Sequence, residues 1–236
     1  MSVNAGYNYS GAVTAQGVVY TWGSGEFGRL GYTDVRRQTI PRQISDLKGQ
    51  RIVKIALGYY HAAAINDQGM VFTWGRGITG QLGRGNIVNE DSVQPVSSLQ
   101  SILITDVSCG ESHTVALSTE GEVYTWGGGQ LGQLGHGDFL RQSLPIKVTN
   151  FEDRICQISC GKRHTAAVSQ EGFLYTWGSN EYGQLGRLVN TTKLILKKHN
   201  TQTGSTSAAG GSQNHGCSAK TSPSMNLQQT THQFYN

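Results

Sequence analysis

The chain has 236 residues, with 32 glycines, 4 prolines and only 14% charged residues, and its apolar residues come in short β-branched or aromatic groups. Such a length holds one or two domains with a real core, and the composition is that of an all-β repeat protein. No basic segment followed by an apolar core opens the chain and no apolar run approaches a membrane span, so a soluble protein of the cytoplasm or nucleus is expected, without a membrane partner.

In chain order, the first unit begins at Gly6-Tyr7-Asn8-Tyr9-Ser10-Gly11-Ala12-Val13, passes Gly17 and enters Val19-Tyr20-Thr21-Trp22-Gly23. That last stretch returns around Trp74, Trp126 and Trp177, which with Trp22 are all the tryptophans present, at steps of 52, 52 and 51 residues. Repeats of this size signal a solenoid, a propeller or an array. Within a unit, Ile52 to Leu57, Ile104 to Cys109 and Ile155 to Cys160 read as β-favouring segments ending at a glycine. A second strand runs from His61, His113 or His164 to Ile65, Leu117 or Val168. A tight turn at Gly69, Gly121 or Gly172 follows, where glycine supplies positive φ. The third strand is the tryptophan segment, whose alternation is expected to set Phe72 and Trp74 on opposite faces. A short fourth strand is expected near Pro41 to Ile44, Pro95-Val96 and Pro145 to Val148, with proline at a strand start or an edge. Four antiparallel strands per unit make one propeller blade.

The tryptophan-glycine pair is followed by Gly80 to Gly83, Gly132 to Gly135 and Gly183 to Gly186, each reading Gly-Gln-Leu-Gly, and by Gly28-Arg29-Leu30-Gly31 in the first copy. With Gly-x-x-His upstream, residues 2 to 186 resemble the repeat of the regulator of chromosome condensation family; Trp-Asp and kelch repeats fit worse in spacing and motif. The resemblance implies a β-propeller of four-stranded antiparallel blades, about seven of which close a ring in that family. This chain holds about three and a half. Residues 1–186 are therefore read as a partial propeller and 187–236, rich in Thr, Ser, Gln, Asn and Gly, as a polar low-complexity tail expected to be disordered. Half a ring leaves strand edges and an apolar blade face uncovered. Self-association of two copies or another chain would complete the ring; a truncated product of a longer gene is the reading favoured here.

The acidic residues all lie before residue 187, where fifteen of them face fourteen basic ones, a net charge of −1; five basic residues follow. The folded body is thus not a platform for nucleic acid. Cys109, Cys156, Cys160 and Cys217 lack Cys-x-x-Cys spacing and read as reduced, small apolar residues. Gly23 to Gly28 satisfies the G-x-G-x-x-G pattern, as do Gly75 to Gly80 and Gly127 to Gly132, but antiparallel flanks without a helix exclude the dinucleotide reading. Asn180 stands where the others have Gly25, Gly77 and Gly129, and asparagine tolerates positive φ, so these are read as turn glycines. The equivalent His61, His113 and His164 fall in separate blades without a second local ligand, and Tyr9 replaces them in the first copy. They read as strand-to-strand ties, not metal ligands. His136, in a Gly-His-Gly turn, reads as exposed. No metal, no cofactor and no catalytic constellation is expected.

What remains is an interaction surface. Residues in blade-connecting loops that differ between copies are free of the repeat's demands: Arg36-Arg37, Asn89-Glu90-Asp91, Phe139-Leu140-Arg141 and Phe151-Glu152-Asp153. The resemblance implies a non-catalytic module that binds another protein. It also admits guanine-nucleotide exchange on a small Ran-like GTPase, the founding member's activity, although near-uniform steps leave no room for that member's inserted wedge. A regulatory propeller of a ubiquitin ligase or kinase is a further reading. The family's ultraviolet-B receptor senses through tryptophans in a Gly-Trp-Arg-His-Thr block, whose second position here is Tyr7, Tyr59, Glu111 or Lys162, so photoreception is not expected.

Overall fold

The computed structural model describes residues 1–187 and the backbone of the strand Lys193–His199. The strands form four sheets of four, each antiparallel and in sequence order. The first holds β1 (Ser2–Gly6), β2 (Tyr9–Val13), β3 (Val19–Gly23) and β4 (Gln38–Gln43), and the second holds β5 (Ile52–Leu57), β6 (His61–Asn66), β7 (Val71–Gly75) and β8 (Glu90–Pro95). The third holds β9 (Ile104–Cys109), β10 (His113–Ser118), β11 (Val123–Gly127) and β12 (Gln142–Lys147). The fourth holds β13 (Ile155–Cys160), β14 (His164–Ser169), β15 (Leu174–Gly178) and β16 (Lys193–His199). Together they are an open, incomplete propeller.

Three details depart from the sequence reading. β1 precedes Gly6 and pairs with β2 along its whole length, so the first blade is four-stranded. β16 pairs with β15 beyond Gly186, where the repeats were expected to stop; the rest of the expected disordered tail lies outside the described residues apart from Arg187. The fourth strands also begin earlier than proline suggested, since Pro41 and Pro145 lie inside β4 and β12 and Pro95 ends β8. All three prolines are on the outermost strand of their sheet, where a missing N–H costs no ladder bond.

The core lies between blades rather than within one. Ala62, Ala64, Phe72 and Trp74 face the first blade, meeting Tyr9, Val13, Val19 and Leu30, while Ala63, Ile65 and Val71 face the third, meeting Ala116, Tyr124 and Trp126. Phe72 and Trp74 therefore share a face, because residues two apart on a strand point the same way; the expectation of opposite faces is corrected. Trp74, Trp126 and Trp177 are wholly buried, each contributing about 3 kcal/mol. At each of them the ladder to the fourth strand shifts register, a bulge that re-aims the ring toward the preceding blade. Their indole N–H groups donate to the carbonyls of Arg29, Gln81 and Gln133 at 3.0, 2.8 and 2.9 Å. A Cβ on Gly83 would lie 2.8 Å from the Trp126 indole nitrogen, so the second glycine of Gly-Gln-Leu-Gly makes room for the next blade's ring.

The threonine before each tryptophan secures the loop that follows. Thr21, Thr73, Thr125 and Thr176 donate through Oγ1 to the carbonyls of Leu30, Leu82, Leu134 and Leu185 at 2.7 to 3.1 Å. The residue after the last loop glycine folds back on the same threonine: Tyr32 Oη and His136 Nε2 reach its hydroxyl, and Arg84 and Arg187 donate to its carbonyl. His136 is thus half-buried rather than exposed. These bonds fix the long loops between third and fourth strands, and with them one end of every blade.

Candidate functional site

Strand order sorts the loops onto two ends. The turns after β1, β5, β9 and β13 and the long loops after β3, β7, β11 and β15 share one end, called here the loop face. The hairpins after each second strand and the links between blades share the other. Arg36, Arg37, Phe139 and Arg141 fall on the loop face, and Glu90 and Asp91 at the start of β8 fall beside it. Glu152 and Asp153 sit in the link before β13, at the opposite end. The expected residues therefore form two groups at opposite ends of the blades.

On the loop face, Arg36 grips Asp34 through Nε and Nη2, both at 2.9 Å, which holds that carboxyl well below the usual range. Arg141 Nη1 reaches the Ile78 carbonyl at 3.5 Å, bridging two blades, and Phe139 and Leu140 beside it are exposed. Glu90 faces Arg84 at 4.0 Å, whereas Asp91 packs its Cα against Gly28. At the other end Asp153 Oδ2 accepts from the Tyr175 hydroxyl at 2.5 Å, and Glu152 lines a shallow depression with Lys147, Phe151 and Arg154.

A denser group, which the sequence reading did not single out as a site, lies at the inner rim of the same face. Tyr7 and Tyr59, equivalent residues of the first two blades, stack with ring centroids 4.9 Å apart and planes 8° apart. Tyr60 meets Tyr7 and Phe27 edge-on at 6.0 and 5.4 Å. Cations cover these rings: Arg29 lies 4.7 Å from the Tyr60 centroid, Arg76 lies 5.2 Å from Tyr60 and 5.1 Å from Phe27, and Lys162 lies 5.5 Å from Tyr59. Arg29, where later copies have glutamine, is buried and donates to the Tyr7 and Tyr59 carbonyls and to Glu26. Phe27 holds φ 61°, an uncommon conformation for a bulky side chain. The signal available in the sequence was substitution at fixed slots: Tyr7, Tyr59, Glu111 and Lys162 in one, and Ser24, Arg76, Gly128 and Ser179 in another.

The polar groups the repeat shares are structural. His61 Nε2 lies 2.8 Å from Thr114 Oγ1 and His113 Nε2 lies 3.0 Å from Thr165 Oγ1, each in the following blade. Both hydroxyls donate to carbonyls, of Gln81 and Gln133, so the histidines donate and are neutral. Burial pushes both down to about 3, against a weaker opposite pull from the backbone of His113 and His164 in the next blade, and their buried Nδ1 atoms make no hydrogen bond. They tie a strand of one blade to a strand of the next. Burial likewise pushes the Cys160 thiol up to about 12 and Cys109 well above its ordinary value, leaving both as packing residues.

Repeat, blade and loop face together define a β-propeller module. The sequence matches the RCC1-like domain over residues 1–228, and the chain belongs to that family. It is 40% identical over 198 residues to the ultraviolet-B receptor UVR8 of Arabidopsis thaliana, covering 83% of this chain and 45% of the receptor. It is 41% identical over 192 residues to the human E3 ubiquitin-protein ligase HERC2, covering 80% of this chain and 4% of the ligase. Among solved structures, human WBSCR16 superposes with a TM-score of 0.79 at 24% identity, over 86% of this chain and 53% of that one. Yeast RCC1 (Prp20), in its complex with Kap60, gives 0.74 at 24% identity, over 86% and 49%. The chain thus spans less than half the length of the receptor and a small part of the ligase.

Proposed function

We propose that this chain is a non-catalytic propeller module that binds another protein through its loop face. The observation that carries the reading is the concentration there of side chains the repeat does not use: the aromatic and cationic inner rim, and Arg36, Arg37, Phe139 and Arg141 farther out. Yeast Prp20, a structural relative, is described bound to Kap60 in one structure and, in another, for its binding properties to Gsp1p and histones. Exchange on a small Ran-like GTPase is the second reading, carried here by family membership alone. The steps of 52, 52 and 51 residues leave no inserted wedge with which to reach a nucleotide site.

The test places a photo-crosslinking amino acid at Phe139 on the loop face or at Leu103, exposed at the opposite end. A partner that couples at position 139 and not at 103 is the expected result. Coupling only at 103, or at neither, overturns the reading. Accelerated nucleotide release from a Ran-like GTPase by the purified chain would establish exchange instead.

A further inference from the structure

Among the described residues, the inner rim holds a cation without a counter-ion. Of its arginines, Arg29 is neutralised by Glu26 at 2.7 Å and Arg163 by Glu111 at 2.6 Å. Arg76 has no carboxylate within salt-bridge distance among the described residues, and its Nε is shielded from water without an acceptor. What holds it is the pair of rings, Phe27 and Tyr60, together with the backbone, whose Arg76 N–H donates to the Tyr60 carbonyl at 2.8 Å. The equivalent residues in the other copies are Ser24, Gly128 and Ser179, so the blade does not need a guanidinium here. A half-buried cation that has lost part of its hydration and gained no anion interacts more strongly with an incoming carboxylate than an exposed one does. The planar fork, pre-oriented on aromatic faces, suits two-point recognition of such a group. Tyr7 and Phe27, both exposed, continue the surface with flat apolar area, and Lys162 over Tyr59 adds a second cation.

We propose that Tyr7, Phe27, Tyr59, Tyr60 and Arg76 form a recognition site for an acidic segment of the partner, with Arg76 as the anchor of one carboxylate and the rings as the bed of the segment. The proposal rests on the protein-binding reading and names the partner's chemistry. Singly charged carboxylates fit better than phosphate dianions, because Glu181 stands at the same rim beside the Arg163–Glu111 pair and repels the higher charge more.

The test uses the full chain and three fluorescent twelve-residue peptides of one length, rich in aspartate and glutamate, in their amides, or in phosphoserine. Anisotropy is expected to show binding of the acidic peptide that weakens as salt is raised. Arg76→Gln should weaken it at least fivefold and Arg76→Lys partly, while Arg154→Gln, which removes the same charge from the opposite end, leaves it unchanged. A measurement independent of variant stability is carbodiimide coupling, which should join the peptide to Lys162 in preference to Lys48 or Lys54. Equal binding of acidic and amide peptides, no response to Arg76→Gln in a chain that melts as wild type does, or binding of the phosphorylated peptide alone overturns the proposal. If Arg76→Gln leaves partner coupling at position 139 intact, the acidic site fails while protein binding stands; if coupling is absent in wild type, the broader reading fails first.

Discussion

Gly77 is glycine because a backbone carbonyl occupies the place of a side chain. A Cβ there would lie 1.8 Å from Val88 O, and one on Gly129 would lie 1.9 Å from Leu140 O. Each opens a turn, the Gly80 and Gly132 N–H groups donating back to the Gly77 and Gly129 carbonyls, but neither has positive φ, so the left-handed conformation inferred from Asn180 is corrected; the slot demands close approach. Asn180 occupies it differently, accepting from the Leu185 N–H at 2.9 Å through Oδ1. The sequence alone does not separate these two demands, because glycine answers both. Gly77→Ala should cost about 3 kcal/mol through forced displacement of the loop, measured by urea midpoint. Gly137→Ala, with nothing within 4 Å but φ 87°, should cost nearer the ~1–2 kcal/mol of a left-handed residue. Equal losses would refute the distinction. Histidine supplies the second prediction at this scale. His61 and His113 are held neutral, with folded values of about 3 against 6.5 unfolded, so below pH 6.5 the unfolded chain takes up protons that the folded one refuses. Their contribution is complete above that pH and is lost progressively toward 3, at roughly 1 kcal/mol per pH unit for each. Thermal melts from pH 7 to 5 should fall with acid, and less steeply in His113→Gln. A flat profile would show that the rings are protonated without harm.

Blades are joined by elements that depart from the repeat together. Where the second strand begins with histidine, the next blade offers threonine: His61 with Thr114, and His113 with Thr165. Where it begins with Tyr9, the next blade offers Ala62, and the phenol passes the missing hydroxyl to donate to the His61 carbonyl at 2.7 Å. The sequence showed Tyr9 as an exception but not its partner, 53 residues on, because pairing across a junction follows from register. Tyr9→His should leave a buried ring nitrogen without an acceptor, and Ala62→Thr should crowd a wholly buried site. The double variant restores the pairing, so the cycle should show a favourable coupling of about 1 kcal/mol or more. Additive losses in urea unfolding would mean that the two sites are independent. At this scale the tryptophan strand and its hairpin were legible, as alternation and glycine mark them. β1 and β16 were not, because Ser2–Gly6 lacks the isoleucine that opens β5, β9 and β13, and Lys193–His199 lacks the proline that marks the other fourth strands. Proline likewise marked the outer strand but not its first residue. Of the expected loop residues, Glu90 and Asp91 open β8 and the others lie in loops, and the fold divides them between ends, a property of strand direction. The inner rim was not legible because its members are far apart in sequence and meet only when blades stack.

At the scale of the molecule, the two ends of the blade array are complementary halves of one junction. Each internal junction sets a tryptophan of the later blade on a carbonyl of the earlier one, and a histidine or tyrosine of the earlier blade on the later one's second strand. The first blade presents the unmatched half: Trp22, only half-buried where its three equivalents are sealed, with Ser10 in the threonine slot. The fourth blade presents the other half, with half-buried His164 in the histidine slot and the Gln184 carbonyl where earlier blades receive an indole. A head-to-tail contact between copies would match them, and such heterologous contacts close rings or extend as filaments according to the rotation. Light scattering on the full chain should therefore show a mass that rises with concentration. Trp22→Arg, which puts a charge on that face alone, should reduce the association while the circular-dichroism melt stays cooperative. A wild-type chain that remains monomeric up to its solubility limit, with a cooperative melt, would show that four blades stand without a mate. Association unchanged in Trp22→Arg would instead move the contact to the loop face, where the acidic-peptide competition separates the two surfaces.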